Sequence, residues 1–225
     1  MRIAVLGTGM VGRELAARLN ELGHEVTVGT RDVVATRERQ DPGNDGVVYS
    51  VWAAEHPGIA LADYAEATAG AELVVNAISG VASLPALTAA GAENLAGKIL
   101  IDIANPLDFS KGMPPTLSVC NDDSLGEQIQ RAFPATRVVK TLNTLTAALM
   151  THPAKLADGQ HTVFVSGDDA VAKKTVTELL TSFGHTDVID LGDITTARGT
   201  EMLLPIWLRL WSALGTPVIN FKIVR

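Results

Sequence analysis

A glycine turn wedged between a strand and a helix constrains this chain more than any other feature. Arg2-Ile3-Ala4-Val5-Leu6 is an apolar run that stops at Gly7-Thr8-Gly9-Met10-Val11-Gly12. A helical pattern follows, with Leu15, Ala16, Leu19 and Leu22, and Gly23 ends it. Strand, glycine turn and helix come in the order that a dinucleotide-binding crossover requires. Gly7 permits the tight turn, Gly9 the approach of a pyrophosphate, and Gly12 close packing of helix on strand. The amides at the helix start, with their partial positive charge, then face the phosphates.

The second strand, Glu25 to Gly29, arrives on schedule and ends in Thr30-Arg31. An NAD enzyme places Asp or Glu here to accept from the ribose 2′-hydroxyl. Arg31 instead offers a guanidinium fork suited to a 2′-phosphate, with the Thr30 hydroxyl as a neighbouring donor. Asp32 would repel that phosphate, so it is expected to turn away and cap the next turn. NADP is therefore the expected cofactor.

Beyond this unit, apolar runs alternate with helical stretches. That grammar predicts an α/β fold, a doubly wound and mostly parallel Rossmann sheet with helices on both faces. Strands are expected at residues 47–51, 73–78, 98–103, 137–142, 162–167 and 188–190, and helices at 33–40 (a short charged helix or a loop), 60–69, 84–95, 123–133, 170–183 and 195–214. Asp63 lies near the start of the second of these helices, and Asn121 or Asp122 is the expected cap of the fourth. Asp41 to Gly46 reads as a turn-rich, mobile insertion, Leu107 to Val119 as a loop beside the cleft, and Val218 to Val224 as an extended tail. Residues 1–150 would form the NADP-binding domain. Residues 151–225 would form a small helical and strand extension on the same sheet, holding the acceptor site and a dimer contact.

Of 225 residues, 47% are hydrophobic and 19% charged, which suits a soluble globule with a sizeable core. A formal charge of −7 disfavours nucleic acid or an anionic membrane as partner. The apolar stretch Met202 to Leu214 is too short for a membrane span, which needs roughly 20 residues. A strand at the very start argues against a signal peptide, and the single cysteine, Cys120, fits a reducing cytoplasm. The five histidines lack ligand spacing, so no metal is expected.

Ligands of a doubly wound sheet bind outside the carboxyl ends of its strands. This singles out Ile78-Ser79-Gly80, Asn105-Pro106 and Asn143-Thr144 besides the glycine turn. Ser79 and Asn105 serve equally well as turn formers. Asn76, inside an apolar strand, needs a polar partner, backbone or ligand. No general acid or base stands out, and no Tyr-x-x-x-Lys pair is present. No catalytic side chain is therefore assigned, since hydride transfer between two bound rings relies on proximity and orientation. Trp207 and Trp211 form a helical stripe that reads as core or homodimer contact before ligand stacking. Arg198 and Glu201 are expected to pair with each other or to cap that helix.

The run from Gly7 through Gly23-His24-Glu25-Val26 to Gly29-Thr30-Arg31 resembles the F420-dependent NADP reductases. So do Val138 to Asn143, Val165 to Asp169, Leu191 to Asp193, Ala197 to Glu201, Leu204-Pro205 and Phe221 to Ile223. The resemblance implies hydride transfer between NADP(H) and the deazaflavin coenzyme F420. It would assign Thr8, Gly9, Met10 and Val11 to the pyrophosphate and Thr30 with Arg31 to the 2′-phosphate. Ile78, Ser79 and Asn105 would approach the nicotinamide, and Asn143 the acceptor ring. Where the family often adds a Lys after the Arg, this chain has Val33, Val34 and Ala35, with Arg37 as the nearest substitute. Asn143 is also similar to the cytoplasmic domains of membrane metalloreductases, which use flavin. Imine or carbonyl reduction and a non-catalytic NADPH-sensing role are the alternatives, the first needing a proton donor that the sequence does not reveal.

Overall fold

The computed structural model describes residues 1–43 and 46–225; Asn44 and Asp45 of the turn-rich insertion lie outside them. In chain order the described elements begin β1 (Arg2–Leu6), α1 (Met10–Glu21), β2 (Glu25–Thr30), α2 (Val33–Glu38), α3 (Tyr49–Glu55), β3 (Ala60–Asp63) and α4 (Tyr64–Ala69). Next come β4 (Leu73–Asn76), α5 (Gly80–Ala90), α6 (Ala92–Leu95), β5 (Ile99–Asp102), and the short pair β6 (Leu107–Asp108) and β7 (Thr116–Leu117). The chain continues through α7 (Leu125–Ala132), β8 (Arg137–Thr141), α8 (Ala147–Thr151), β9 (Thr162–Ser166) and α9 (Ala170–Phe183). It finishes with β10 (Asp187–Gly192), α10 (Ala197–Met202) and α11 (Leu204–Leu214). None of the described helices is long and apolar enough to cross a membrane.

One eight-stranded sheet runs in the order β10-β9-β8-β5-β4-β1-β2-β3. From β3 to β8 all pairings are parallel, which is the order of a doubly wound dinucleotide fold. β9 is antiparallel to β8, and β10 is parallel to β9, so the sheet continues without a break past residue 150. Both faces are covered, which explains why the strands read as unbroken apolar runs rather than alternating ones. Ile3, Val5, Val28, Val75 and Ile101 pack with Leu15, Trp52 and Val176 on one face. Ala4, Leu6, Val74, Leu100 and Val138 pack with Leu87, Leu95 and Ile129 on the other.

Two stretches differ from the sequence reading. Residues 47–51 do not form a strand: Tyr49 opens α3, which buries Tyr49 and Trp52 three residues apart on one helical face. The third strand in the chain is Ala60–Asp63, inside the expected helix 60–69, and it is fixed by pairing with Thr27–Thr30 of β2. Asp63 then caps α4, accepting from the Glu66 amide.

Smaller corrections follow local chemistry. The stretch 84–95 begins earlier, at Gly80, and is cut at Gly91, whose φ of +92° suits glycine alone. The cap of the helix expected at 123–133 is Ser124, not Asn121 or Asp122. The long helix expected at 195–214 is two, with Pro205 in the first turn of α11, where proline is tolerated because that amide has no helical partner. The loop 107–119 carries the small β6–β7 hairpin.

The tail docks on β9, with Phe221 O accepting from the Thr162 amide and Asp187 holding Lys222 and Arg225. Beneath it lie two buried histidines. His185 Nε2 bonds Met150 O at 3.0 Å, and His161 bonds Pro153 O and Asn220. Burial pulls the His185 pKa down to about 4, with the Met150 bond opposing and His161 assisting. Between about pH 6.5 and 4 the unfolded chain therefore binds a proton that the native chain refuses, so stability falls as pH drops through that window. The loss should approach on the order of 3 kcal/mol below it. Thermal melts across this range should show a steeper acid decline for the wild type than for His185→Gln; identical slopes would remove His185 as the cause.

Candidate functional site

The site is built on the carboxyl ends of β1, β2, β4 and β5. Gly7 has φ +124°, and a Cβ there would stand 2.6 Å from Ala77 O. A Cβ on Gly12 would stand 2.1 Å from Gly7 O, so both glycines are demanded by close approach of backbone to backbone. Gly9 is different: a Cβ there meets nothing within 4 Å, so the space above it is open. Gly9 also caps α1 without any side-chain hydrogen bond, and the first turn carries no acidic residue. The first-turn amides thus keep their donors and present them, with the helix dipole, to an anion. A pyrophosphate fits this cradle.

At the end of β2, Arg31 is exposed and lies close enough to Tyr64 to counter the rise that burial imposes on its phenol. Asp32 turns away as expected and accepts from the Ala35 amide to cap α2. Thr30 departs from expectation. It is buried, and its hydroxyl is engaged with Thr36 Oγ1 at 2.7 Å, so it fixes the start of α2 below Arg31 and does not point at the opening. Arg37 is exposed at the end of α2. The arginine that reaches the glycine turn is Arg39, which the sequence reading missed. Its guanidinium donates to Thr8 Oγ1 at 3.2 Å and Thr8 O at 3.3 Å. With Thr8, Gly9, Met10, Arg13 and Pro42 it lines a depression of about 200 Å³.

A larger cleft, about 460 Å³, opens on the other side of the glycine turn, between the ends of β4 and β5. Val11, Ile78, Ser79 and Asn105 line it, together with Phe109, Leu145 and Met150, none of which the sequence singled out. From β2 to β5 is three strand spacings, roughly 14 Å, a span that an extended dinucleotide can bridge. Ser79 makes no capping bond at the start of α5, which leaves its hydroxyl to the cleft. Gly80 lets α5 close on Asn105, since a Cβ would stand 2.1 Å from Asn105 O.

Asn143 is not on the cleft wall. It is buried behind Asn105: its backbone carbonyl accepts from Asn105 Nδ2 at 2.8 Å, and its own Nδ2 donates to Asn105 Oδ1 and to Thr200 O, both at 3.0 Å. Asn76 finds its partners within the chain: its Nδ2 donates to Ser83 Oγ at 3.0 Å and to Asp102 Oδ1 at 2.8 Å, and its Oδ1 accepts from the Ile78 backbone amide at 3.4 Å. Arg198 and Glu201 do not pair with each other. Arg198 grips Glu127 with two bonds, whereas Glu201 faces Lys140.

Ser79 and Asn105 supply the polar side chains among the described residues lining this cleft; its other lining side chains are apolar. Tyr49 lies in the core, where burial pushes its phenol up to about 12 against nearby arginines. The apolar walls suit a flat ring, and among the described residues lining the cleft none has a side chain matched to proton transfer.

Residues 2–106 match the family described as NADP oxidoreductase, coenzyme F420-dependent. A candidate F420-dependent NADP reductase of Arthrobacter sp. FB24 has a crystal structure that superposes with a TM-score of 0.96 at 66% identity, over 100% of both chains. An F420-dependent NADP reductase of Methanocaldococcus jannaschii is 26% identical over 93% of this chain and 92% of its own. The metalloreductase STEAP3 of Rattus norvegicus is 32% identical over 92% of this chain, which spans 38% of that protein's length. With a near-complete structural match, the glycine cradle and the strand-end cleft in place, the chain belongs to the coenzyme F420-dependent NADP oxidoreductase family.

Proposed function

We propose that this protein passes hydride between NADP(H) and a flat deazaflavin acceptor, coenzyme F420. The apolar cleft between the ends of β4 and β5 carries this reading, because Ser79 and Asn105 are its polar side chains. Hydride transfer between two stacked rings asks for proximity and orientation, whereas imine or carbonyl reduction also asks for a proton donor at the acceptor atom. When bound, NADPH supplies the hydride from its reduced nicotinamide. The Gly7 to Gly12 turn holds the pyrophosphate through Thr8, Gly9, Met10 and Val11. Arg31 takes the 2′-phosphate, and Arg39 closes over Thr8 from the same side. Ile78, Ser79 and Asn105 seat the nicotinamide, while Phe109, Leu145 and Met150 exclude water from the ring faces.

A flavin acceptor is the second reading, favoured by the likeness to a metalloreductase. Oxidation of NADPH followed with F420, FMN and FAD separates the two: F420 should turn over fastest. Turnover with none of them, alongside tight NADPH binding, would sink the enzymatic reading and leave the sensing role.

We assign the nucleotide to residues 1–150, which also supply the described residues lining the cleft, and a dimer contact to residues 151–225. The latter support the cleft from behind through Thr200 and Glu201 and do not form the acceptor wall expected of them. A homodimer through α11 is supported by the exposure of Ile206, Trp211 and Leu214 beside a small apolar cluster around Leu204, Trp207 and Leu208. Light scattering should give twice the chain mass, and a monomer would reject this contact. A cytoplasmic setting goes with the exposed free thiol of Cys120, which calls for a reducing compartment.

A further inference from the structure

At the carboxyl rim of the sheet, one row of register partners is polar. Asn76 on β4, Asp102 on β5 and Lys140 on β8 are Cα neighbours. They point to the same face as Val74, Leu100 and Val138, two residues earlier on each strand. All three are essentially inaccessible to solvent. Lys140 Nζ lies 2.8 Å from Asp102 Oδ2 and 2.9 Å from Glu201 Oε1. Burial would draw the proton off this ammonium, but Asp102 and Glu201 outweigh it and hold the pKa above the ordinary lysine value.

The charges do not close on themselves. Glu201 also accepts from the Leu125 and Gly126 amides, at 2.9 and 3.1 Å, so it caps α7. Asp102 Oδ1 accepts from Asn76 Nδ2 at 2.8 Å and from the Ala104 amide at 3.2 Å. Lys140 Nζ donates to Ala104 O. The amide and the carbonyl of Ala104 are thus both held by buried charge, one by Asp102 and the other by Lys140. Ala104 and Asn105 are consecutive cleft residues, and Asn105 is locked in turn to Asn143.

A buried ion cluster of this kind is seldom more stabilising than well-packed apolar side chains. Its value here lies in what it orients.

We propose that Lys140 is a positioning residue: with Asp102 it fixes the Ala104 peptide groups, and so the place of Asn105 at the ring-binding end of the cleft, and through Glu201 it ties that turn to α10. The inference rests on the reading that this cleft takes the nicotinamide. Lys140→Met leaves two facing carboxylates and can fail to fold. Asp102→Asn leaves Lys140 paired with Glu201, keeps the side-chain shape, and loosens the same turn.

The test compares two probes by titration against folded protein: NADPH, and adenosine 2′,5′-bisphosphate, which carries the adenine end alone. Either variant should weaken NADPH roughly tenfold, the scale of one misplaced buried hydrogen bond, and leave the bisphosphate within about twofold. General loosening of the fold would weaken both probes alike, and that outcome, or unchanged NADPH binding in Asp102→Asn, overturns the proposal. If Lys140→Met does not fold, Asp102→Asn decides alone. Wild-type protein that binds neither probe would overturn the nucleotide reading and this inference with it.

Discussion

Gly12→Ala should cost the chain its NADPH binding and part of its stability together. The added Cβ would stand 2.1 Å from Gly7 O and 2.9 Å from Gly7 C, and neither backbone atom can swing aside as a side chain would. Relief requires α1 to lift from β1, which carries the first-turn amides away from any bound phosphate. Overpacking of this kind costs about 1–3 kcal/mol, and NADPH affinity should fall well over tenfold, since several charge-assisted bonds to the phosphates lengthen together. Gly9→Ala is the contrasting variant. Its Cβ meets no atom of the chain within 4 Å, and its φ of −77° is ordinary for any residue. Its melting temperature should match the wild type while NADPH binding weakens, because the new methyl projects into the phosphate path. Wild-type affinity in Gly12→Ala would refute the cradle.

That contrast shows why the nucleotide half of the site was legible in sequence. The demands on Gly7, Gly9 and Gly12 are local, made within one strand–turn–helix unit, so their spacing carries them. The same is true of α9, where Asp169 caps the start through the Ala172 amide and Gly184 ends it in the left-handed region. Asp169 and Gly184 mark these ends in the sequence itself. The parallel strands β1, β2, β4, β5 and β8 were readable because burial on both faces leaves apolar runs.

Residues 47–63 defeated the same approach. Val47, Tyr49 and Val51 alternate like a strand, but Val51 is exposed and Trp52 is the residue that packs with Tyr49. Periodicity over so few residues cannot separate the two structures. Ala60-Leu61-Ala62 lacks β-branched side chains, and it is a strand because the edge of β2 needs a neighbour.

The far side of the site was hidden for a related reason. Lys140 sits inside a run read as a strand and as part of the family resemblance, with no role given to the lysine itself, and its partners Asp102 and Glu201 come from β5 and α10. Nothing local marks a lysine as buried until its carboxylates are brought to it. Arg39 is similar. It is one of three arginines after β2, and only the fold shows that it, and not Arg37, meets Thr8.

Arg31→Ala should weaken NADPH by about 1.5–3 kcal/mol, the range for a hydrogen bond to a charged group, or roughly 10- to 150-fold in Kd. NADH should lose much less, because without the 2′-phosphate there is no second charge for the guanidinium to meet. The exposed position of Arg31 makes the effect salt-dependent, so the gap between the two nucleotides should narrow as ionic strength rises. Arg39 supplies the necessary comparison. It is anchored on Thr8, beside the pyrophosphate turn, so Arg39→Ala should weaken NADPH and NADH by similar factors. Isothermal titration of both nucleotides against both variants gives four numbers, and their pattern assigns the roles. Equal losses for NADPH and NADH in Arg31→Ala would remove Arg31 from phosphate recognition, and a loss confined to NADPH in Arg39→Ala would transfer that role to Arg39.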